Sequence, residues 1–517
     1  MTATKALPHL NAELLKARPD LTSATPGSVF PERVLQFGEG NFLRGFVDWM
    51  IHGMNQKGLF GGSVIVVQPV AQGLIPKLNE QNGIYTLLMR GVQNGKVVEE
   101  QQVITAISRG IDPYVDFKEY LKSAHIPELR WIVSNTTEAG IAYSATDQPT
   151  DQPPSSYPAK LALLLLERYK AFKGDVSKGF IILPCELIER NGDNLKKAIL
   201  QTATNWQMEP GFIDWTNNAN IFTNTLVDRI VTGYPRQEDE ALWTKAGYQD
   251  DLLDCSEVFH LWVIEGPESV SAELPLQKAG FNVIFTENMT PYRDRKVRIL
   301  NGAHTASVLA AFLAGQDYVA EVMKDSLTSG FMRRAIHEEV IPTLTLPKQE
   351  LENFAEAVFE RFSNPFIKHE LLSISLNSVS KFKARVLPSL ERYVELYGKV
   401  PARLTFGLAS LIAFYRGTEI RDSALIGLRN GKQYCIKDDL SILKLFAGLW
   451  SQYDGTDNGV ATLTDAILQQ NEWWGRDLRG IAGLRGEVTG YLIAILNSGM
   501  TSALTKLEQQ AGLQKSI

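Results

Sequence analysis

The chain has 517 residues, 44% of them hydrophobic and 21% charged, with 52 Lys and Arg against 58 Asp and Glu for a net charge of −6. That is the balance of a soluble globular protein too long for one core, so two large domains are expected. The mild acidity is broken by no Lys/Arg-rich run, which argues against nucleic acid or an anionic membrane as a partner, and the widely spaced Cys185, Cys255 and Cys435 support neither a zinc ribbon nor a disulfide framework.

Residues 1–28 are polar and punctuated by proline, and read as a flexible N-terminal arm. They lack the apolar core of a signal peptide. With the cysteine usage, this points to a cytoplasmic protein. "RVLQF" is then a short apolar strand, "GEGN" a turn, and "FLRGFVDWMIHGMN" a helix with Phe42, Phe46, Trp49 and Met50 at helical spacing. "GSVIVVQP" is a second strand. Strand, glycine turn, helix and strand make a βαβ unit and predict a parallel sheet. "YTLLMRG" and "KVVEEQQVITAISRG" resemble a hairpin insertion. "LRWIVSNTTEAG" and "KGFIILPCELI" are strands that end in polar loops. "FHLWVIEGP" and "FNVIFTEN" close this half. After about residue 290 amphipathic helical patterns take over. The longest apolar run, Leu404 to Tyr415, is too short to span a bilayer and suits a buried helix. The expected fold is α/β: a Rossmann-like dinucleotide-binding domain with a parallel sheet over 29–290, then a mainly α-helical substrate domain over 291–517.

"FGEGNFLRG" sets Gly38 and Gly40 between a strand and a helix. One glycine permits positive φ, and the other lets backbone approach a diphosphate at the helix N-terminus. The expected cofactor contacts here are Phe37, Gly38, Gly40, Asn41 and Phe42. The third glycine of GxGxxG is absent, and a tight turn without a ligand is the plainer alternative. Arg44, in the first helical turn, opposes the helix dipole and is expected to meet a phosphate or carboxylate, or else to be a solvated surface arginine. The second strand ends at Gln68 instead of the acid that usually binds the adenosine ribose. Gln68 can bond ribose hydroxyls, which leaves NAD against NADP open. Asn135, Thr136, Thr137 and Glu138, in "SNTTEAG", are expected near the nicotinamide.

"TPYRDRKVRILNGAHTASVLAAFLAG" opens with Thr-Pro and stops at Gly315, which predicts a helix over 291–314. At about 100° per residue, Lys296, Asn301 and His304 fall within roughly 140° of arc. Gly302 costs about 1 kcal/mol against alanine in mid-helix. It makes a notch for a ligand or for another backbone. A lysine in a partly dry site can exchange a proton, an asparagine can donate to a growing oxyanion, and a histidine can orient a substrate oxygen. A solvated lysine, a locally bonded asparagine and a core histidine are the ordinary alternative.

These residues, with "FGEGNFLRG", "SNTTEAGI", "PCELIERNGDNL", "LVDRIVTGYPR", "KVRILNGAHTA", "NPFIKHELLSISLN" and "PARLTFGLASLIAFYRG", resemble the mannitol dehydrogenase family of polyol-specific long-chain dehydrogenases/reductases, from about residue 29 to about 500. The resemblance implies an NAD-dependent, metal-independent oxidoreductase acting on a small sugar or polyol. It implies that Lys296 is the general acid/base, Asn301 an oxyanion donor and His304 a substrate-orienting group. Asp228 matches the family's V-D-R-I motif, as an active-site charge or a structural one. Arg229 is expected in an internal ion pair. The family's C-D-N is replaced by Cys185-Glu186-Leu187, so Asn191 is the candidate substitute amide. Its Arg/Lys pair eight residues apart is replaced by Ser373 and Lys381. Both departures point away from mannitol. A hexuronate, reduced to its aldonate, supplies a reason for cations at Lys368, His369, Lys381 and Arg385. Lys381 is the first choice for the carboxylate and His369 the second; Lys368 and Arg385 equally fit a solvated basic face. The alternatives are a sister hexuronate reductase of the family and a non-catalytic NAD- or sugar-acid-binding protein.

Overall fold

Six short apolar runs make one parallel sheet. In chain order they are β1 (Glu32–Phe37), β2 (Ser63–Val67), β3 (Ile107–Ile111), β4 (Trp131–Ser134), β5 (Ile181–Pro184) and β6 (Ile221–Phe222). They lie side by side as β3-β2-β1-β4-β5-β6. Every residue of β2 and β4 is buried, as expected of strands covered on both faces. Alternation sends Val34, Val64, Val66 and Val133 into one core with Phe46 and Met50. It sends Leu35, Ile65, Val67 and Ile132 into another with Leu161, Leu164 and Ile199. The strand order reverses beside β1, so the carboxyl ends of β1 and β4 flank the crevice where such sheets bind ligands.

The computed structural model describes residues 7–22, 29–137 and 139–513. The chain divides into two compact units. One runs to Gly91 and again from Val97 to Met289; the other takes Val92–Lys96 and the chain from Thr290 onward. The hairpin strands Tyr85–Gln93 and Lys96–Ile104 are as expected, but the hairpin ends sooner than the sequence suggested. Ile107–Ile111 leaves it and pairs with β2 as the third parallel strand, with Ile107 and Ile111 buried.

Part of the segment read as a loose arm is ordered by packing. Asn11 caps a helix over Ala12–Ala17 by accepting from the amides of Glu13 and Leu14. Leu10 and Leu15 bury against Ile84, Val103 and Tyr248. Two leucines with a matching apolar surface outweigh the polar residues around them.

A polar knot sits within the first unit's core. Asp48 is fully buried and accepts from Gln36 Nε2 at 3.1 Å. Burial raises its carboxyl to about 7, against that hydrogen bond and the nearby Arg44 charge. The unfolded chain releases this proton near pH 4. The folded-state preference is therefore fully present below that value and is lost as pH rises through about 7. Asp48→Asn is expected to melt above wild type at about pH 8, with a smaller gain at about pH 5. A variant that melts lower at about pH 8 would overturn this account.

The second unit is mainly helical. Its helix over Thr290–Ala314 is long and apolar enough to cross a membrane, but 67% of that apolar window is buried inside the protein, as in a core helix. It crosses the helix Ala402–Phe414 so closely that a Cβ on Gly407 would lie 2.7 Å from Ala306 O. A three-stranded meander, Ile420–Arg421, Ala424–Arg429 and Lys432–Ile436, completes this half. Its Arg429 donates to Phe312 O and Gln316 O and so caps the C-terminal end of the 302–314 helix.

Candidate active site

In the first unit, the chain leaves β1 through Gly38, whose φ is +121°. A Cβ there would lie 3.1 Å from Asn135 O, so a side chain is barred by conformation and by space. A Cβ on Gly40 would meet nothing within 4 Å, and Gly40 and Asn41 are exposed. The first amides of the helix opening at Asn41 have no intrahelical acceptors, and the turn before them is exposed, as a diphosphate site requires. The Phe37 ring is buried against Tyr120 and Tyr157, so its side chain is closed to a ligand. Phe42 is half-buried and stacks on Phe46.

Arg44 is not available to a phosphate. It is 2% exposed and donates to Glu39 O, Leu252 O and Asn41 Oδ1. A π-helical turn at Arg44–Asp48 accompanies this inward position. Gln68 is also buried. Its Nε2 donates to Asp112 Oδ2 at 3.2 Å, while its Oε1 has no hydrogen-bond partner among the described residues. Asp112 follows β3, so the acid missing from the end of β2 stands at the end of the neighbouring strand. Its place was hidden when β3 was read as a hairpin arm.

After β4, Asn135 donates from Nδ2 to Cys185 O at 2.8 Å, and Thr137 adopts φ +76°. Buried Glu186 accepts from Ser134 Oγ, Thr136 N and Thr136 Oγ1. The acid that replaces the family's aspartate thus fastens the loop over Asn135, Thr136 and Thr137. Glu138 lies outside the described residues. Asn191, expected as a substitute amide for substrate, is wholly engaged. Its Nδ2 donates to Pro184 O, Glu186 O and Thr225 O, and its Oδ1 accepts from the amides of Gly192 and Thr225. It ties β5 to the neighbouring chain and has no donor left over. Asp228 is buried at the end of the strand Asn224–Asp228. Arg229 spends its guanidinium on Glu257 O and Gly45 O and lies 4.1 Å above the Trp49 ring, in place of the expected side-chain ion pair.

The second unit holds Lys296, Asn301 and His304. Lys296–Asn301 is a π-helical turn inside the longer helix, and both end residues are half-buried. Bonding from i to i+5 widens the turn, so Lys296 and Asn301 lie closer to one face than regular helical spacing puts them. Regular helical spacing spreads them further apart, so the sequence understated their proximity. The notch at Gly302 is filled by protein: a Cβ there would lie 3.3 Å from Arg385 O. The glycine admits the end of the helix Ser378–Arg385.

His304 is 7% exposed and stacks on Phe362 at 4.1 Å between centroids. The His369 ring meets it edge-on at 5.3 Å. Its Nε2 has no hydrogen-bond partner among the described residues. Burial first, then the charges of His369, Arg361, Arg385 and Lys381, hold its imidazole well below the usual range, so it is neutral at physiological pH. Lys381 is half-buried and donates from Nζ to Ile374 O at 2.8 Å. Lys368 and Ser373 are exposed. Among the described residues, no three His, Cys, Asp or Glu side chains are grouped to hold a metal ion.

The comparisons with known proteins bear on this geometry. Residues 32–278 match the mannitol dehydrogenase Rossmann domain, and residues 288–496 match the mannitol dehydrogenase C-terminal domain. The chain belongs to the mannitol dehydrogenase family. It is 47% identical over 483 residues to an altronate oxidoreductase from Enterobacter sp. (strain 638), covering 93% of this chain and 98% of that protein. Altronate oxidoreductases from Escherichia coli O6:K15:H31 (strain 536 / UPEC) and Shigella flexneri are each 48% identical over the same shares. Among solved structures, a substrate-free D-sorbitol dehydrogenase is similar in fold, with a TM-score of 0.78 at 22% identity over 96% of this chain and 100% of that one. Pseudomonas fluorescens mannitol 2-dehydrogenase, in ternary complex with NAD and D-mannitol, gives 0.65 at 22% identity over 97% and 99%. This is the Rossmann-like sheet and helical second half expected from the sequence.

Proposed function

We propose that the chain is an NAD-dependent oxidoreductase that interconverts D-tagaturonate and D-altronate in cytoplasmic hexuronate catabolism. The observation that carries this reading is the 47–48% identity, across 93% of the chain, to proteins named altronate oxidoreductase. The basic cluster of His369, Lys381 and Arg385 around His304 suits a substrate that bears a carboxylate.

Bound nicotinamide supplies hydride chemistry at the keto carbon. The chain's own groups bind, orient and move the proton. The amides from Gly38 to Asn41 take the diphosphate at the helix start. Asp112 and Gln68 take the ribose hydroxyls, and the Asp112 carboxylate disfavours the 2′-phosphate of NADP. The loop of Asn135, Thr136 and Thr137, fastened by Glu186, flanks the nicotinamide. Asn301 donates its amide to the substrate oxygen as negative charge grows there, and Lys296 delivers the proton that completes the alcohol. In oxidation the same lysine takes that proton back. Neutral His304 offers Nε2 to a substrate hydroxyl, with Asp228 as a supporting charge. The basic groups beside His304, Lys381, His369 and Arg385, favour a substrate that carries a carboxylate.

The test follows NADH and NADPH consumption with tagaturonate, fructuronate and fructose in parallel. Rapid NADH oxidation with tagaturonate is expected, with weak activity on the other two. Preference for fructuronate would move the chain to the sister activity. Turnover of fructose alone would refute the carboxylate argument.

A further inference from the structure

We propose that Arg385 is the specificity-determining residue that grips the substrate carboxylate, a refinement that rests on the hexuronate reading above. The choice follows from what the other cations near His304 already do; Arg361 has a partner of its own. Lys381 already gives one of its three N–H donors to Ile374 O, and Lys368 is exposed. His369 is engaged edge-on with His304, and burial holds its ring below the usual range. Arg385 differs from all three. It is half-buried, and its guanidinium has no hydrogen-bond or ion-pair partner among the described residues. Burial alone pushes it down from its ordinary value; no carboxylate offsets that cost.

Leaving a guanidinium partly dry and unpaired is unfavourable, and arginines in such places are ordinarily matched to an acid. Here the match is missing, at a position one helix contact from the reactive turn. Gly302, next to Asn301, is the point at which the Arg385 backbone closes on the 290–314 helix. The Arg385 charge is felt at His304. A planar fork presents two parallel N–H groups to both oxygens of a carboxylate, which a lysine point charge does not. Arg385 therefore separates a hexuronate from a neutral ketose of the same length, while Lys296 and Asn301 perform chemistry common to both.

The experiment compares wild type, Arg385→Gln and Arg385→Lys on tagaturonate and fructose. It also measures NADH binding by fluorescence and altronate binding by calorimetry. Arg385→Gln is expected to raise KM for tagaturonate and Kd for altronate about 100-fold. Its kcat/KM for fructose and its NADH affinity should stay within about threefold of wild type. Arg385→Lys should recover part of the altronate affinity, since it restores charge without the fork. Equal losses on tagaturonate and fructose would show a structural role and overturn the proposal. So would unchanged altronate affinity in Arg385→Gln. If Arg385→Gln fails to fold, Arg385→Lys decides: wild-type affinity in it overturns the bidentate grip. A wild type that turns over no hexuronate refutes the functional reading itself, a result distinct from any of these.

Discussion

Lys296→Ala is expected to lower kcat for tagaturonate reduction by about 10³-fold, in the range of lost general acid–base catalysis, with NADH affinity and melting temperature near wild type. Lys296 begins a π-helical turn that ends at Asn301, so the backbone brings the proposed proton donor and the proposed oxyanion donor toward one face. Lysine is half-buried there and replaces no core group, which is why stability should hold. Asn301→Ala should cost about 10²-fold in kcat by removing one oxyanion donor. The two losses should not add in the double variant, because both groups serve the same oxygen. Single-turnover measurements with saturating NADH isolate this step. A Lys296→Ala rate within tenfold of wild type would remove lysine from the chemistry.

The parallel sheet and the glycine turn are legible because they depend on local patterns. β2 reads as "SVIVV" because both faces are covered, and Gly38 reads as a turn because only glycine tolerates its backbone. The candidate site is legible as residue types on one helix. What the sequence hides is geometry made by tertiary contact. Nothing in "KVRILN" announces that its backbone bonds widen to a π turn. Arg44 has the sequence of a surface cation, yet Leu252 O, far along the chain, draws it inward. Asn191 has the composition of a spare amide, and only the fold shows that all its capacity is spent. Asp112 and Glu186 lie beside strands whose sheet neighbours a linear reading does not order. For Arg44 and Asn191 the partners include Leu252 and Thr225, both distant in sequence.

Arg403→Ala is expected to destabilise the second unit by about 3–5 kcal/mol, the cost of breaking a buried ion-pair network from one side. Arg403 is 4% exposed at the start of the helix Ala402–Phe414. Its guanidinium donates to Glu338, Glu339 and Glu508. Buried Glu339 also accepts from the amides of Arg403 and Leu404 at 2.9–3.0 Å, which caps that helix. Burial raises the Glu339 carboxyl to about 7, against the amide hydrogen bonds from Arg403 and Leu404 and then the Arg403 charge. Its unfolded counterpart ionises near pH 4. The folded form is therefore favoured by this group below that value and loses the advantage as pH rises through about 7. Without Arg403 the carboxyls repel more strongly once ionised, so the deficit of Arg403→Ala should be larger at about pH 8 than at about pH 5. This matters for catalysis because the helix it anchors is the one that Gly407 presses against Ala306, two residues beyond His304. Denaturant unfolding at the two pH values, with residual activity followed during heating, tests both links. A pH-independent loss under about 1 kcal/mol, the worth of an exposed pair, would mean that the network contributes little to holding the platform beneath the reactive turn.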